Sequence, residues 1–341
     1  KALVAISPSI DIIRIGSELA CAEAFRPHLM ERVLEACSTR RQVQERIARC
    51  HVFVGTVATL SAKTDIFRLK TFDVAIVDEA TQILEPQLLG LLCARTPAGG
   101  DAIGKFIMIG DHKQLPAVVL QPSVQSEVRD EALRAIGLYN LKDSLFERLY
   151  RNLVRGAGSA SPHFDMLCRQ GRMNVEVAAF PNRAFYSGLL QPVGLPHQQG
   201  ELALSPELCG NEFAPLLTRR VAFLPSEAES SGQSAKVNHS EARIVARLAA
   251  AVHRQYASSS GFDASATLGV ITPYRSQIAL IKKELAAMGI PSLNDILVDT
   301  VERFQGSERD VIIYSFCVNR AYQLKFLANM TEENGVPIDR K

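Results

Sequence analysis

Two adjacent carboxylates and, some thirty residues later, a glutamine are the side chains whose placement first suggests chemistry. The apolar run Phe72-Asp73-Val74-Ala75-Ile76-Val77 leads directly into Asp78-Glu79-Ala80-Thr81-Gln82. A buried strand that ends in paired acids can hold Mg²⁺ through the first, largely by way of water, because Mg²⁺ keeps much of its hydration shell. The second can act as general base toward an attacking water. A second apolar run, Lys105 to Ile109, ends in Gly110-Asp111-His112-Lys113-Gln114-Leu115-Pro116. A glutamine amide just past a strand end can hydrogen-bond a terminal phosphate or the lytic water. Each cluster alone also reads blandly, the first as a solvated cap on the next helix and the second as a Gly-Asp turn stopped by proline. Two such clusters at successive strand ends favour a shared crevice at the carboxyl edge of a sheet, where α/β folds bind ligands.

The elements that would position these groups follow from periodicity. Short, nearly continuous apolar runs at Val52–Val57, Phe72–Val77, Lys105–Gly110, Val221–Leu224, Ala266–Thr272 and Asp310–Val318 read as buried strands. Continuous rather than alternating hydrophobicity suits parallel strands covered on both faces. Helical patterns lie between them at Thr39–Cys50, Glu85–Arg95, Asp143–Arg151, Asn238–Tyr256 and Tyr274–Met288. The fourth opens on Asn238 with Glu241 three residues on, an N-cap followed by a first-turn carboxylate. Strands alternating with helices imply an α/β fold with mostly parallel sheets.

At 341 residues the chain is long enough for two domains. The Gly/Ser-rich stretch Arg155–Pro162 places the boundary near residue 155, giving domains 1–155 and 156–341, and Ser226–Ala235 reads as a polar loop within the second. A hydrophobic content of 47%, 22% charged residues and a net charge of +2 describe a globular protein with a sizeable core. Any basic groove for nucleic acid must therefore be local. The seven cysteines form no C-x-x-C pair or zinc-ligand spacing and read as free, mostly buried thiols in a reducing compartment, hence the cytoplasm. No apolar run approaches the roughly 20 residues of a membrane-spanning helix, so no membrane association is expected. The opening Lys1-Ala2-Leu3-Val4 has neither an initiator methionine nor a signal-peptide layout, which reads as a start in mid-protein. Oligomeric state is not legible.

The resemblance becomes specific once these motifs are set in order. Asp78–Gln82 and Gly110–Pro116 look like the Walker B and motif III elements of superfamily 1B helicases, in the group of the nonsense-mediated-decay helicase and the Okazaki-flap helicase-nuclease. Asp143–Leu149 resembles the helix that leaves the first motor domain in that family. Arg169-Gln170-Gly171-Arg172-Met173, with Phe180–Tyr186 after it, resembles the element that opens the second. Ile271–Gln277 and Asp299–Asp310 resemble later second-domain motifs. The likeness runs from about Gly55 to the C-terminus and implies two RecA-like P-loop NTPase domains, the first incomplete, with ATP and Mg²⁺ between them.

By that resemblance Asp78, Glu79, Gln114 and Arg172 are catalytic, with Asp78 the metal ligand and Arg172 an arginine finger. A guanidinium suits that task, since its planar fork of donors matches phosphoryl oxygens and never loses its charge. Gly110, Asp111, Gln170, Gln305, Gly306 and Glu308 would surround the nucleotide. Thr56, Thr272, Pro273 and Thr300 match positions lining a single-strand channel, where backbone-directed contacts grip DNA or RNA without reading sequence. The implied function is an ATP-dependent helicase or translocase moving 5′ to 3′ on single-stranded nucleic acid. The alternatives are a nucleic-acid-dependent remodelling ATPase that does not unwind, and an inactive scaffold.

Some positions depart from the pattern. Gly171 stands where many relatives carry tyrosine, and Asn174 where histidine is frequent. The stretch Gly99–Lys105 has the spacing of a phosphate-binding loop, but Phe106 follows where Ser or Thr should bind magnesium. It also leads into a strand, whereas a P-loop opens a helix, so it reads as a surface turn. The phosphate-binding loop and the final arginine motif are expected to lie outside residues 1–341, and residues 1–341 alone are expected to hydrolyse ATP poorly.

Overall fold

The computed structural model describes residues 2–157, 161–227, 236–327, 330–333 and 336–339. The chain divides into two compact units, Lys1–Asp165 and Met166–Lys341. Both are built of helices and small, mainly parallel sheets, the α/β arrangement implied by the alternating pattern.

In the first unit, strand β1 (Ile12–Ile15) pairs in parallel with β2 (Val52–Gly55). Helix α1 (Arg40–Arg49) lies between them in the chain. Its start is fixed locally: the Thr39 hydroxyl accepts the Gln42 amide at 3.3 Å, and Gln42 Oε1 accepts the Thr39 amide at 3.1 Å. Such a reciprocal capping box satisfies two otherwise unpaired donors. Helix α2 (Val57–Ser61) begins directly after β2. The pair that matters most is β3 (Phe72–Val77) with β4 (Ile103–Met108), parallel, with Ile76 opposite Ile107 and Val77 opposite Met108. Helix α3 (Glu85–Leu92) packs Leu88 and Leu91 against Val77, Ala80 and Ile103, and Leu145 of helix α4 (Leu145–Ala157) joins the same cluster. A side chain as completely buried as Leu88 contributes about 2 kcal/mol. Arg148 clasps Glu85 through two hydrogen bonds of 2.7 and 2.5 Å, tying α4 to the start of α3.

Several sequence expectations require correction. One face of β3–β4 packs against the core, but Val74, Ile76, Ile107 and Ile109 on the other are 43–65% exposed. The described helices of this unit cover one face, so burial on both is not realised here. Helix α4 continues through Gly156 to Ala157, so the expected linker begins inside a helix; residues 158–160 of that linker lie outside the described residues. The expected surface turn at Gly99–Lys105 is realised only over residues 99–102, since Ile103–Lys105 already belong to β4. Gly99 adopts the left-handed conformation (φ 84°), and Arg95 and Asp101 bridge its base by backbone pairing and an ion pair.

In the second unit, short strands β5 (Arg169–Gln170) and β6 (Gln191–Pro192) pair in parallel, flanking helix α5 (Val175–Phe185) in the chain. Helix α6 (Pro196–Gln199) follows. The larger core is built on helix α7 (His239–Ala257), strand β7 (Leu268–Ile271), helix α8 (Arg275–Ala287), β8 (Leu297–Asp299), the short helix α9 (Val301–Phe304) and β9 (Val311–Tyr314). Strand β7 is central, parallel to β8 on one side and β9 on the other. Leu268 and Val270 pack with Val245, Ala249, Ile281 and Leu285 of α7 and α8. Strand alternation turns Gly269 to the opposite face, where a Cβ would lie 2.6 Å from the Phe304 ring; only glycine admits that contact.

Asn238 caps α7 by accepting the Glu241 amide at 2.7 Å, as its spacing implies. The Glu241 carboxylate turns inward instead, accepting the Ser315 hydroxyl at 2.8 Å and the Cys317 amide at 3.0 Å beyond β9. The fully buried Gln277 bonds both backbone groups of Asn238, at 2.9 and 3.1 Å. Val221–Leu224 forms no strand; with no partner ladder, its Val221 and Phe223 are exposed. Residues 228–235 of the expected polar loop lie outside the described residues. The last strands, β10 (Met330–Glu333) and β11 (Val336–Asp339), pair antiparallel. All seven cysteines are free, but only Cys21, Cys50 and Cys317 are buried, and burial raises the Cys50 thiol above its ordinary pKa. No described helix is long and apolar enough to cross a membrane.

Candidate nucleotide site

The two strand-end clusters of the first unit are neighbours because β3 and β4 are parallel and paired to their ends. The Ile109 amide donates to Val77 O and the Ala80 amide to Ile109 O, both at 2.8 Å, so the ladder extends past each strand into its polar loop. Gly110 allows this closeness: a Cβ there would meet Thr81 Cγ2 at 3.0 Å, Thr81 N at 3.1 Å and Ala80 N at 3.3 Å. Its observed part is thus close backbone packing.

Asp78 and Glu79 are both exposed at this edge. Asp78 Oδ1 accepts the Glu79 amide at 3.0 Å, and Gln82 Nε2 donates to Glu79 Oε2 at 2.8 Å. Glu79 has φ 50°, a left-handed conformation that a residue with a Cβ adopts at a cost of about 1 kcal/mol or more. Neither acid has a cationic partner among the described residues. On the neighbouring loop, Asp111 Oδ1 accepts the Lys113 amide and Oδ2 the Gln114 side-chain amide, both at 2.9 Å. Gln114 is thereby held at the exposed rim. The loop is anchored from behind by His112, whose ring stacks on Tyr150 of α4 with centroids 4.1 Å apart.

In the second unit the structure brings together residues 136 positions apart. Arg172 Nε donates to Glu308 Oε2 at 2.7 Å, and both side chains are about two-thirds exposed. A pair this open contributes at most about 1 kcal/mol to stability and can be exchanged for a better partner. The Gln170 side chain closes the loop around Arg172, donating to Met173 O at 2.9 Å and accepting the Met173 amide at 2.7 Å. Gly306, with φ 78°, makes the turn that presents Glu308, and Gln305 precedes it, half-buried.

The four residues expected on a strand-binding surface behave differently. Thr56 is exposed, with its hydroxyl accepting the Thr59 amide at 3.2 Å as the cap of α2. Thr272–Pro273 and Thr300 end adjacent strands, joined by the Thr272 amide donating to Asp299 O at 3.1 Å. Pro273 and Thr300 are half-buried, but Thr272 is wholly buried and its hydroxyl finds no partner among the described residues. In this conformation its side chain does not face outward, so an outward hydroxyl contact there is not offered.

Comparison with known proteins gives the family. Two family models, each described as an AAA domain, match residues 29–122 and 141–335, the second over more than half of the chain. The chain is 32% identical over 295 residues to the DNA replication ATP-dependent helicase/nuclease DNA2 of Mus musculus, covering 80% of this chain. The chain belongs to the AAA-domain superfamily 1 helicases. Other members are similar to this helicase-family chain: human DNA2 is 29% identical over 90% of it, and the probable helicase MAGATAMA 3 of Arabidopsis thaliana 29% over 81%. The chain spans about a quarter of the length of these relatives, with 24%, 27% and 30% of mouse DNA2, human DNA2 and MAGATAMA 3 covered.

Sequence reasoning missed the groups that hold the site. Gln82 steadies Glu79, and His197 with Gln198 braces the loop bearing Arg172 through hydrogen bonds to its carbonyls. Gln82 stands inside the quoted Asp78–Gln82 cluster with no role assigned to it, whereas exposed His197 and buried Gln198 sit in a short polar stretch whose contacts only the tertiary structure makes.

Proposed function

We propose that the chain supplies much of the motor of an ATP-dependent helicase that moves 5′ to 3′ on single-stranded nucleic acid, with DNA the first substrate to test. The observation that carries this reading is the lacing of the Asp78–Glu79 strand end to the Gly110–Gln114 loop, two clusters suited to the two halves of phosphoanhydride hydrolysis. Their membership of one helicase family and the DNA-replication names of relatives support it.

Mg²⁺ fits the donors present. Asp78 offers an exposed carboxylate with no cation paired to it among the described residues, and no three described His, Cys, Asp or Glu side chains form a closed cage. An ion held by one or two carboxylates takes its other ligands from water and phosphate, and it supplies charge neutralisation at the phosphoryl group when bound. Glu79 accepts the proton of the attacking water. Gln114, released from Asp111, donates to the water or terminal phosphate. Arg172 leaves its exposed pairing with Glu308 to place a guanidinium on the phosphoryl oxygens, and Glu308 is freed for the nucleotide. Gln170, Gln305 and Gly306 shape that second-unit face, while Thr56, Pro273 and Thr300 touch the strand's backbone. Residues 1–341 alone hydrolyse ATP poorly on this reading, since among the described residues the one P-loop-like spacing, Gly99–Lys105, is a turn into a strand.

The test is DNA-stimulated ATP hydrolysis and strand displacement by the complete protein, wild type against Arg172→Ala. Stimulated hydrolysis that falls by about 10³-fold in the variant, with displacement lost in parallel, supports the reading. Hydrolysis without displacement in the wild type identifies a remodelling ATPase. No hydrolysis with DNA or RNA identifies a scaffold.

A further inference from the structure

Arg172 projects from the irregular turn that follows β5, where the ladder to β6 ends with the Val193 amide donating to Gln170 O at 3.1 Å. Between the end of β5 and the start of α5, the carbonyls of Gln170, Gly171 and Met173 are nevertheless all gripped from one side by two consecutive residues of α6. Gln198 Nε2 donates to Gln170 O at 2.8 Å and to Met173 O at 3.3 Å. His197 Nε2 lies 2.9 Å from Gly171 O. A carbonyl only accepts, so this ring nitrogen carries the proton. The contact is returned at the next residue, where Asn174 Nδ2 donates to His197 O at 3.2 Å.

Gln198 is fully buried, and its amide is saturated. Both N–H groups serve the Arg172 loop, while Oε1 accepts the Gly194 and Leu195 amides at 3.0 and 3.1 Å. An amide with every bond made and no exposed surface fixes its partners far more firmly than a solvated contact. The grip falls on the backbone on both sides of Arg172 and leaves its side chain to pair with Glu308. That is the division of labour needed by a cation that must swing yet start from a fixed base.

We propose that His197 and Gln198 are positioning residues that set the base of the Arg172 side chain and so act on phosphoryl transfer through Arg172. The inference rests on the assignment of Arg172 to that reaction. Gly171 belongs to the same device. A Cβ there would meet only Leu195 and Val193 side chains at 3.5 Å, so what this position contributes is its carbonyl.

The experiment measures DNA-stimulated kcat and KM for ATP in the complete protein. The variants are His197→Ala, His197→Gln, Gln198→Leu and Arg172→Ala, and the Arg172→Ala/His197→Ala double, each checked for thermal unfolding. The inference expects His197→Ala to lower kcat about tenfold, with KM within roughly twofold of wild type. His197→Gln, which keeps a donor, recovers most of the loss. Gln198→Leu costs about 10²-fold where it folds; His197 is exposed, so its variants keep the test open where Gln198→Leu does not fold. The double variant is no slower than Arg172→Ala alone, because a base has nothing to position once its arginine is gone. Wild-type kcat in His197→Ala beside a slow Arg172→Ala overturns the inference and spares the reading of Arg172, as do losses that multiply in the double. Wild-type kcat in Arg172→Ala overturns both.

Discussion

Replacing Gly110 by alanine adds a single methyl group where the two strand-end loops of the first unit meet. That methyl would sit 3.0 Å from Thr81 Cγ2, 3.1 Å from Thr81 N and 3.3 Å from Ala80 N. Non-bonded contacts to carbon are favourable only at about 3.5–4.0 Å, so the Ala80–Thr81 backbone must retreat by a few tenths of an ångström. Two of the three atoms are backbone, and Ala80 N carries the 2.8 Å bond to Ile109 O that laces the loops together. Overpacking of this kind costs about 1–3 kcal/mol, or roughly 2–10 °C in the unfolding midpoint of a unit this size. The same retreat moves Asp78 and Glu79 relative to Gln114. Since a displacement of about 1 Å can cost 10²-fold in rate, a shift of a few tenths predicts a loss of about tenfold in kcat. The assay is DNA-stimulated ATP hydrolysis by the complete protein alongside differential scanning calorimetry. Gly100→Ala serves as control, because its nearest neighbour is Thr96 Oγ1 at 3.5 Å in a surface turn. A Gly110→Ala protein with the control's midpoint and kcat would refute the argument that this glycine sets the site's spacing.

Other perturbations probe the supports. Glu85→Gln leaves Arg148 with half of a well-buried clasp and should destabilise the first unit by about 2–3 kcal/mol, read by urea unfolding; an unchanged midpoint would show that the clasp contributes nothing net. Gly269→Ala drives a methyl into the Phe304 ring and should cost about 2 kcal/mol or more in the second unit, with Gly269→Ala/Phe304→Leu recovering part of it. The Arg46 guanidinium hydrogen-bonded to Asp11 is the main cause holding that carboxyl below its ordinary pKa, with burial opposing it. The stabilisation from this depressed group is present above the unfolded value near 3.8 and fades as pH falls through the folded one. Because both side chains are about one-third exposed, Asp11→Asn should cost only about 0.5–1 kcal/mol at pH 7 and progressively less as pH falls below 3.8; a cost independent of pH would contradict the ion-pair origin.

What could be read from the sequence was what local chemistry decides. Helix α1 begins within a residue of its expected start because Thr39 and Gln42 complete a box that needs no tertiary partner. The start of α7 was legible for the same reason at Asn238. Strand β3 was legible from its nearly continuous apolar run, and so were the acids at its end. The destination of a polar side chain was not. Glu241 looked like part of a cap, yet its carboxylate satisfies the Cys317 backbone amide beyond β9. Thr272 matched a channel-lining position, and only packing of the second core buries it. Gln198, in the polar stretch Pro196–Gly200, gave no hint of a buried, fully bonded amide. The exposed face of β3–β4 was equally hidden, since an apolar run states which residues seek burial and not which face has a helix against it.

The most direct test of the central claim is a chemical-quench measurement of single-turnover ATP hydrolysis by the complete protein carrying Glu79→Gln, on saturating single-stranded DNA, with nucleotide affinity measured in parallel. A general base at Glu79 predicts hydrolysis slowed by about 10²-fold or more while ATP binds within about threefold of wild type. Hydrolysis at the wild-type rate would show that the β3 strand end is a solvated turn and that the reaction is carried elsewhere.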